Sequence, residues 1–264
     1  MPKATLTKRL EFCSSHRYHN PEWDDATNRE VFGLCNNVNT HGHNYLLEVT
    51  LQGDIDPVTG MIINLYDLKI ILNQVLEQFD HKNLNLDTPY FSKKIPTTEN
   101  LAVTLWHILE KHPDLPNPDT LRLYEDETLY AEVNTSFMDG ALQPANGSSA
   151  IIARHYAFSA LNQSRAGHTQ GHAYDLWIAT KGQISSDTGQ VMNLQTLDQI
   201  VRSQILARFD QRNISQDQAF ANTPVTDSAI AKIIWETLQP HFHTPPLYRV
   251  SVSQQPGAVA VHTI

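Results

Sequence analysis

Apolar and polar residues alternate over about residues 5–14 and again over 44–53, where Tyr45, Leu47, Val49 and Leu51 share one parity. A period of two places such residues on one face of an extended chain, so both stretches predict half-buried strands. The period then changes. Leu65, Leu68, Ile71, Leu72, Val75, Leu76 and Phe79 recur at intervals of three and four, which is one face of a helix. A second helix is predicted from Thr97–Thr98 to about His112. There a threonine can cap the first turn, and Glu99 suits the positive helix end. Strands follow at about 120–125 and 128–133. "DIDPVTG" reads as a turn, with Pro57 presetting its φ and Gly60 free to take a positive one. "MIIN" after it reads as a further short strand. The order ββ, αα, ββ segregates helices from an antiparallel sheet, an α+β arrangement.

The pattern occurs twice. "THGHNYLLEVTLQGDIDPVTGMIINLYDL" from Thr40 aligns without a gap with "TQGHAYDLWIATKGQISSDTGQVMNLQTL" from Thr169. Downstream, "LEQFDHKNL" (76–84) meets "LARFDQRNI" (206–214), and "LAVTLWHIL" (101–109) meets "IAKIIWETL" (230–238). Upstream, "FCSSH" (12–16) fits "FSALN" (158–162) loosely. Such self-similarity implies a tandem duplication. Residues 134–150 are rich in Gly, Pro, Ser and Asn and read as a linker between domains at 1–133 and 151–264.

Composition narrows the function. The chain has 264 residues, enough for two ordinary domains, and a net charge of -9 with no basic block. A surface of that sign disfavours nucleic acid as a partner. No apolar run approaches the roughly 20 residues of a membrane span. The first ten residues lack the apolar core of a signal peptide. A cytoplasmic location is therefore expected. With only Cys13 and Cys35 there is no disulfide framework.

Thirteen histidines make a metal site worth seeking. His41 and His43 alternate, so on an extended segment their imidazoles point the same way. His16, at the end of the first predicted strand, is the natural third ligand. Three histidines leave one position of a tetrahedral zinc open, the catalytic pattern. Surface or hydrogen-bonding histidines give the same spacing. Cys35, among Asn36, Asn37 and Asn39, reads either as a thiol activated beside a cation or as inert packing. Cys13, next to Phe12, reads as core. Asp80–His81 is either an oriented proton-handling pair or a favourable helix end. Glu125 alone is an ordinary acid at a strand end.

Together these segments carry a resemblance. "SSHRYH", "CNNVNTHGHNY", "DPVTGMIINLYDLK", "FDHKNLN", "LDTPYF", "PTTENLAV" and "LYED" occur in the first copy. That copy closely resembles the 6-pyruvoyl-tetrahydropterin synthase and 6-carboxytetrahydropterin synthase family; the second resembles it in outline. The resemblance implies the tunnelling fold, in which ββααββ units assemble into barrels. It implies zinc held by His16, His41 and His43, Cys35 as general base, and the pair Asp80–His81 working with it. It implies Glu125 as the carboxylate that grips the guanidine-like edge of a pterin, with Thr97, Thr98 and Glu99 in a segment that helps hold the ring. The implied reaction is a lyase step: triphosphate leaves 7,8-dihydroneopterin triphosphate to give 6-pyruvoyl-tetrahydropterin. The alternatives are the carboxytetrahydropterin product of the queuosine route and a non-catalytic pterin-binding assembly. A zinc hydrolase would leave Glu125 and Cys35 unexplained.

The second copy departs from the pattern. Asn162, Gln170 and His172 stand at the ligand positions, Gln211 replaces the histidine after Asp210, and Gln254 stands where the anchoring glutamate belongs. One imidazole does not retain a catalytic zinc, so this copy is expected to keep its fold without its chemistry. The family's sites lie between subunits, which implies a homo-oligomer of tandem chains, a trimer or a dimer.

Overall fold

The computed structural model describes residues 3–116, 118–138, 147–163, 168–254 and 259–263. Residues 139–146 of the predicted linker lie outside them. The chain forms two compact units: Met1–Ile152 with Gln183–Val191, and Ala153–Gly182 with Met192–Ile264. No helix among the described residues is long and apolar enough to cross a membrane.

The first unit runs β1 (Lys3–His16), α1 (Asp25–Phe32), β2 (His41–Asp54), α2 (Leu65–Leu76), β3 (Lys82–Asn83), α3 (Thr98–Leu109), β4 (Pro118–Asp126), β5 (Leu129–Asn134) and a short α4 (Thr135–Met138). Its strands lie in the order β5-β4-β2-β1-β3. β1 and β2 pair antiparallel along their whole length, from Lys3 opposite Asp54 to His16 opposite His41. β3 adds a short parallel contact at Ser14 and Ser15.

The alternation sets the core. Tyr45, Leu47, Val49 and Leu51 on β2 and Leu121 and Leu123 on β4 are fully buried, with Leu68 and Leu72 of α2 and Leu101 and Leu105 of α3. Asn64 caps α2 by accepting from Tyr66 N–H, and Thr97 caps α3 by accepting from Asn100 N–H. Cys13 departs from its core reading. It falls on the parity opposite to the buried Phe12 and Ser14 and is only half-buried. "MIIN" is not a strand. Asp56 instead accepts from the N–H groups of Val58 and Thr59 in a tight turn. Ile62 then lies over Gly53, so close that a Cβ there would meet it at 2.7 Å. The run covers the sheet rather than pairing with it.

The second unit repeats the plan. It contains β6 (Ser149–Gln163, from Ala153 on), β7 (Thr169–Gln183, to Gly182), α5 (Leu194–Val201), α6 (Ala207–Phe209), β8 (Arg212–Asn213), α7 (Asp227–Leu238), β9 (Leu247–Gln254) and β10 (Val259–Thr263). A π-helical stretch, Arg202–Leu206, joins α5 to α6. The strand order is β10-β9-β7-β6, with β8 beside β6. Matching details recur. Phe12 stacks on Tyr45 at 5.0 Å and Phe158 on Tyr174 at 4.9 Å. Asp80 accepts from Cys13 N–H at 2.8 Å, and Asp210 from Ser159 N–H at 2.9 Å. His81 and Gln211 take φ of 57° and 58°.

Candidate active site

The register of β1 on β2 assembles three imidazoles. His16 lies opposite His41, and Ser14 opposite His43, so all three rings occupy one face at one end of the ladder. Ring centroids are 4.6 Å (His16–His41), 4.9 Å (His16–His43) and 4.8 Å (His41–His43) apart. One nitrogen from each lies within 4.8 Å of the others. His16 is wholly buried, and its Nδ1 meets the Tyr45 hydroxyl at 2.9 Å. Burial, then the neighbouring imidazoles His41 and His43, hold His16 well below the usual histidine pKa. Neutral imidazoles are the form that ligates a cation. His41 Nδ1 and His43 Nε2 are buried without a hydrogen-bond partner. Three imidazoles whose nitrogens converge, with two buried ring nitrogens lacking a partner, form a group that could hold a metal ion.

Glu125 comes to the same place from β4. The register between β4 and β5 shifts between Tyr124 and Asp126, a bulge of the kind that re-aims a side chain. The Glu125 carboxylate is 4% exposed. Its Oε2 accepts from the Tyr18 hydroxyl at 2.8 Å and from the Thr98 hydroxyl. Its Oε1 lies 3.6 Å from His43 Nε2. Tyr18 in turn accepts from Thr98 N–H at 3.2 Å. Burial, then the Glu125 carboxylate, pushes the Tyr18 phenol well up, so it stays a donor. The sequence pattern assigned Tyr18 no role; its only trace there is a position two residues beyond His16.

Cys35 lies on a single 3₁₀ turn, Gly33–Asn36, directly after α1. Neither element shows in the apolar pattern. The Cys35 carbonyl accepts from Tyr18 N–H at 2.8 Å, and the residue packs against Tyr18, Phe32 and Ile95. The half-buried thiol thus belongs to the shell around Tyr18, and it is not part of the three-histidine group.

Asp80 and His81 are differently placed. Asp80 Oδ2 lies 2.9 Å from His81 Nδ1, and His81 N–H donates to Cys13 O at 2.6 Å. The Cys13 N–H, more than His81, holds the Asp80 carboxyl below the usual range. The His81 side chain is 82% exposed. The contacts of this pair run to Cys13 and to each other, not to the three imidazoles. Thr98 binds Glu125, as above. Thr97 donates to Gly189 O at 2.5 Å, and Glu99 Oε1 accepts from Val191 N–H at 3.1 Å. Burial raises Glu99 to about 7.

A cavity of about 590 Å³ is lined by Arg17 and Thr40, the neighbours in sequence of His16 and His41, and by Lys93, Lys94 and Ile95. His19, Glu22 and Asp187 also line it.

The family model of 6-pyruvoyl tetrahydropterin synthase matches residues 5–136 and 148–263. The chain belongs to this family. The resemblance carried by the motifs of the first copy is thereby shown, and the two matched segments correspond to two tunnelling-fold units of α+β type. The 6-pyruvoyl tetrahydrobiopterin synthase of Homo sapiens is 46% identical over 110 residues, which are 41% of this chain and 76% of that protein. The Drosophila melanogaster protein of the same name is 48% identical over 118 residues, 43% of this chain and 70% of its own. A solved Caenorhabditis elegans 6-pyruvoyl tetrahydropterin synthase aligns with a TM-score of 0.48 at 34% identity, covering 51% of this chain and 96% of that one. The chain is an enzyme, a lyase of the 6-pyruvoyl tetrahydropterin synthase type.

In the second unit of this family member, amides stand at the corresponding positions except at His172. Gln254 Nε2 bonds His172 Nδ1. Asn162 bonds Ser215 Oγ at 3.2 Å and Val225 O at 3.3 Å. Among the described residues, the His16–His41–His43 group is the one that can hold a metal.

Proposed function

We propose that the first unit is a zinc-dependent lyase that eliminates triphosphate from 7,8-dihydroneopterin triphosphate to give 6-pyruvoyl-tetrahydropterin. The observation that carries this reading is the convergence of the three imidazoles and the buried Glu125 carboxylate, 3.6 Å from His43. A metal-ligand set alone serves many reactions. A carboxylate fixed beside it by Tyr18 and Thr98 selects a ligand with paired N–H donors, such as the guanidine-like edge of a pterin.

Zinc bound at His16, His41 and His43 supplies Lewis acidity that makes the hydroxyl and adjacent C–H protons of the substrate side chain easier to remove. Cys35 takes a carbon-bound proton as thiolate. The Asp80–His81 pair passes protons, the carboxylate fixing the imidazole by its contact at Nδ1. The ring is reduced from dihydro to tetrahydro as the side-chain diol becomes a diketone, and the C–O bond to triphosphate breaks in that rearrangement. Hydrogens move within one molecule, so no external oxidant or reductant enters. Arg17, Lys93 and Lys94 line the neighbouring cavity and offer charge to the triphosphate.

The exposed His81 points to a homo-oligomer, because an imidazole at the surface serves a site only when a second copy approaches. Val58, Met61, Leu65, Tyr66 and Ile70 are exposed apolar residues within one short segment, and a concentration of that kind marks an association surface. The second unit acts in this reading without a metal of its own. The test is release of inorganic triphosphate from 7,8-dihydroneopterin triphosphate by the zinc-loaded protein. His43→Ala should abolish release together with metal binding. Release that survives the loss of His43 refutes the reading.

A further inference from the structure

The turn at residues 185–191 belongs by sequence to the second copy, yet Gln183–Val191 pack as part of the first unit. The turn is internally braced. Gly189 N–H donates to Ser185 O at 2.8 Å and Ser185 N–H to Gln190 O at 3.0 Å. Gln190 N–H donates to Thr188 Oγ1 at 3.2 Å. Three further bonds fasten it to residues of the first copy. Thr97 Oγ1 donates to Gly189 O at 2.5 Å, Val191 N–H to Glu99 Oε1 at 3.1 Å, and Asn20 Nδ2 to Asp187 O at 3.0 Å. Thr97 and Glu99 flank Thr98, which holds the Glu125 carboxylate.

The equivalent turn of the first copy is open. Gly60 and Gly189 share a φ of 70°. A Cβ on Gly60 would meet nothing within 4 Å, whereas one on Gly189 would come within 2.9 Å of Thr97 Cγ2 and 2.8 Å of Asn100 Nδ2. The next residue differs in kind as well as in setting. Met61 is 42% exposed, and Gln190 is 6% exposed. A methionine would satisfy a buried wall without polar demands. The glutamine leaves its side-chain Oε1 buried with no donor, which is unfavourable until something donates to it. Its two neighbours in the chain are the residues bonded to Thr97 and Glu99, so the unsatisfied oxygen belongs to the segment that borders the Glu125 site.

We propose that the 185–191 turn is a wall of the pterin pocket in the first unit, and that Gln190 accepts a hydrogen bond from a ring N–H of the bound pterin through its side-chain oxygen. This rests on the pterin-lyase reading above. It gives the second copy a use despite its lost ligand positions: it supplies a residue to the working site within the same chain. Gln190 is then a specificity residue, in contact with the ring and remote from the bonds that break.

The test uses the full chain with Gln190→Met, which installs the residue of the first copy, and Gln190→Leu, which removes the same acceptor with another shape. Binding of 7,8-dihydroneopterin, which lacks the triphosphate, is measured by fluorescence titration beside KM, kcat, zinc content and the urea midpoint of ligand-free protein. Both variants should weaken binding and raise KM about tenfold, the worth of one hydrogen bond of about 1.4 kcal/mol. They should leave kcat and zinc unchanged and raise the urea midpoint, because an unsatisfied buried oxygen is gone. A merely structural glutamine would instead lower the midpoint. Unchanged dihydroneopterin affinity and KM in either variant overturns the proposal. Wild-type protein that binds zinc but no dihydroneopterin overturns the pterin reading itself, whatever residue 190 does.

Discussion

Replacing Tyr18 by Phe removes one oxygen atom from the centre of the site. The ring contacts survive, including those with His16 at 4.7 Å and Phe32 at 6.1 Å. What is lost is the donor to Glu125 Oε2 at 2.8 Å and the acceptor of Thr98 N–H at 3.2 Å. A hydrogen bond to a charged group contributes roughly 1.5–3 kcal/mol, and a buried N–H left without a partner costs about 1–3 kcal/mol. Thr98 Oγ1 still donates to the same carboxylate oxygen, which offsets part of the first term. The 3.2 Å bond is long, which trims the second. The expected loss is about 2–3 kcal/mol in the stability of the ligand-free protein, read as a fall in the urea midpoint at unchanged slope. Substrate affinity should fall too, because Glu125 loses one of the donors that hold its orientation. The phenol touches none of the three imidazole ligand atoms through a hydrogen bond, so zinc content should stay at the wild-type value. A destabilisation below about 0.5 kcal/mol, within the range of an ordinary surface change, would refute the claim that Tyr18 organises the carboxylate.

Further predictions follow the same geometry. Glu99, pushed up to about 7 by burial, keeps in the folded chain a proton that the unfolded chain loses near 4.5. Its contribution is therefore full below that value and is lost as pH rises through 7, a change of about 3 kcal/mol; Glu99→Gln should flatten the stability profile between pH 5 and 7, and an unaltered slope would contradict the assignment. Cys35→Ala should retain zinc and lose turnover by two orders of magnitude or more, and a variant that loses its zinc would make the thiol a ligand instead of a base. Val58→Asp with Tyr66→Asp should reduce the mass found by sedimentation equilibrium if their exposed segment joins copies; an unchanged mass removes that surface from the interface. Zinc titration should saturate at one ion per chain, since the second unit offers only His172 at the ligand positions, and two tight ions per chain would show a site in the second unit.

Local periodicity made much of this fold legible. The parity of Tyr45, Leu47, Val49 and Leu51 placed β2, and the same parity, extended back to His43 and His41, put both imidazoles on one face. The spacing from Leu65 onward placed α2, although the helix ends at Leu76 and the buried Phe79 lies beyond it. α1 was hidden because its eight residues, Asp25–Phe32, bury only Asn28 and Phe32, too few for a visible stripe. "MIIN" misled because two adjacent isoleucines look like a strand when no partner edge is in view. Tyr18 and Gln190 were out of reach for a different reason. Their settings are made by contacts with Glu125, Thr98 and the Thr97–Glu99 segment, far away along the chain. Local pattern carries no record of those meetings. The likeness of the two halves was plain and suggested a single boundary at residues 134–150, whereas Gln183–Val191 pack with the first unit.

The most direct test of the account is the mass of the product that zinc-loaded protein forms from 7,8-dihydroneopterin triphosphate. The expected product is 6-pyruvoyl-tetrahydropterin, with triphosphate as the sole leaving group, formed at least a hundredfold more slowly by Cys35→Ala. A carboxytetrahydropterin product, or substrate recovered intact, would contradict it.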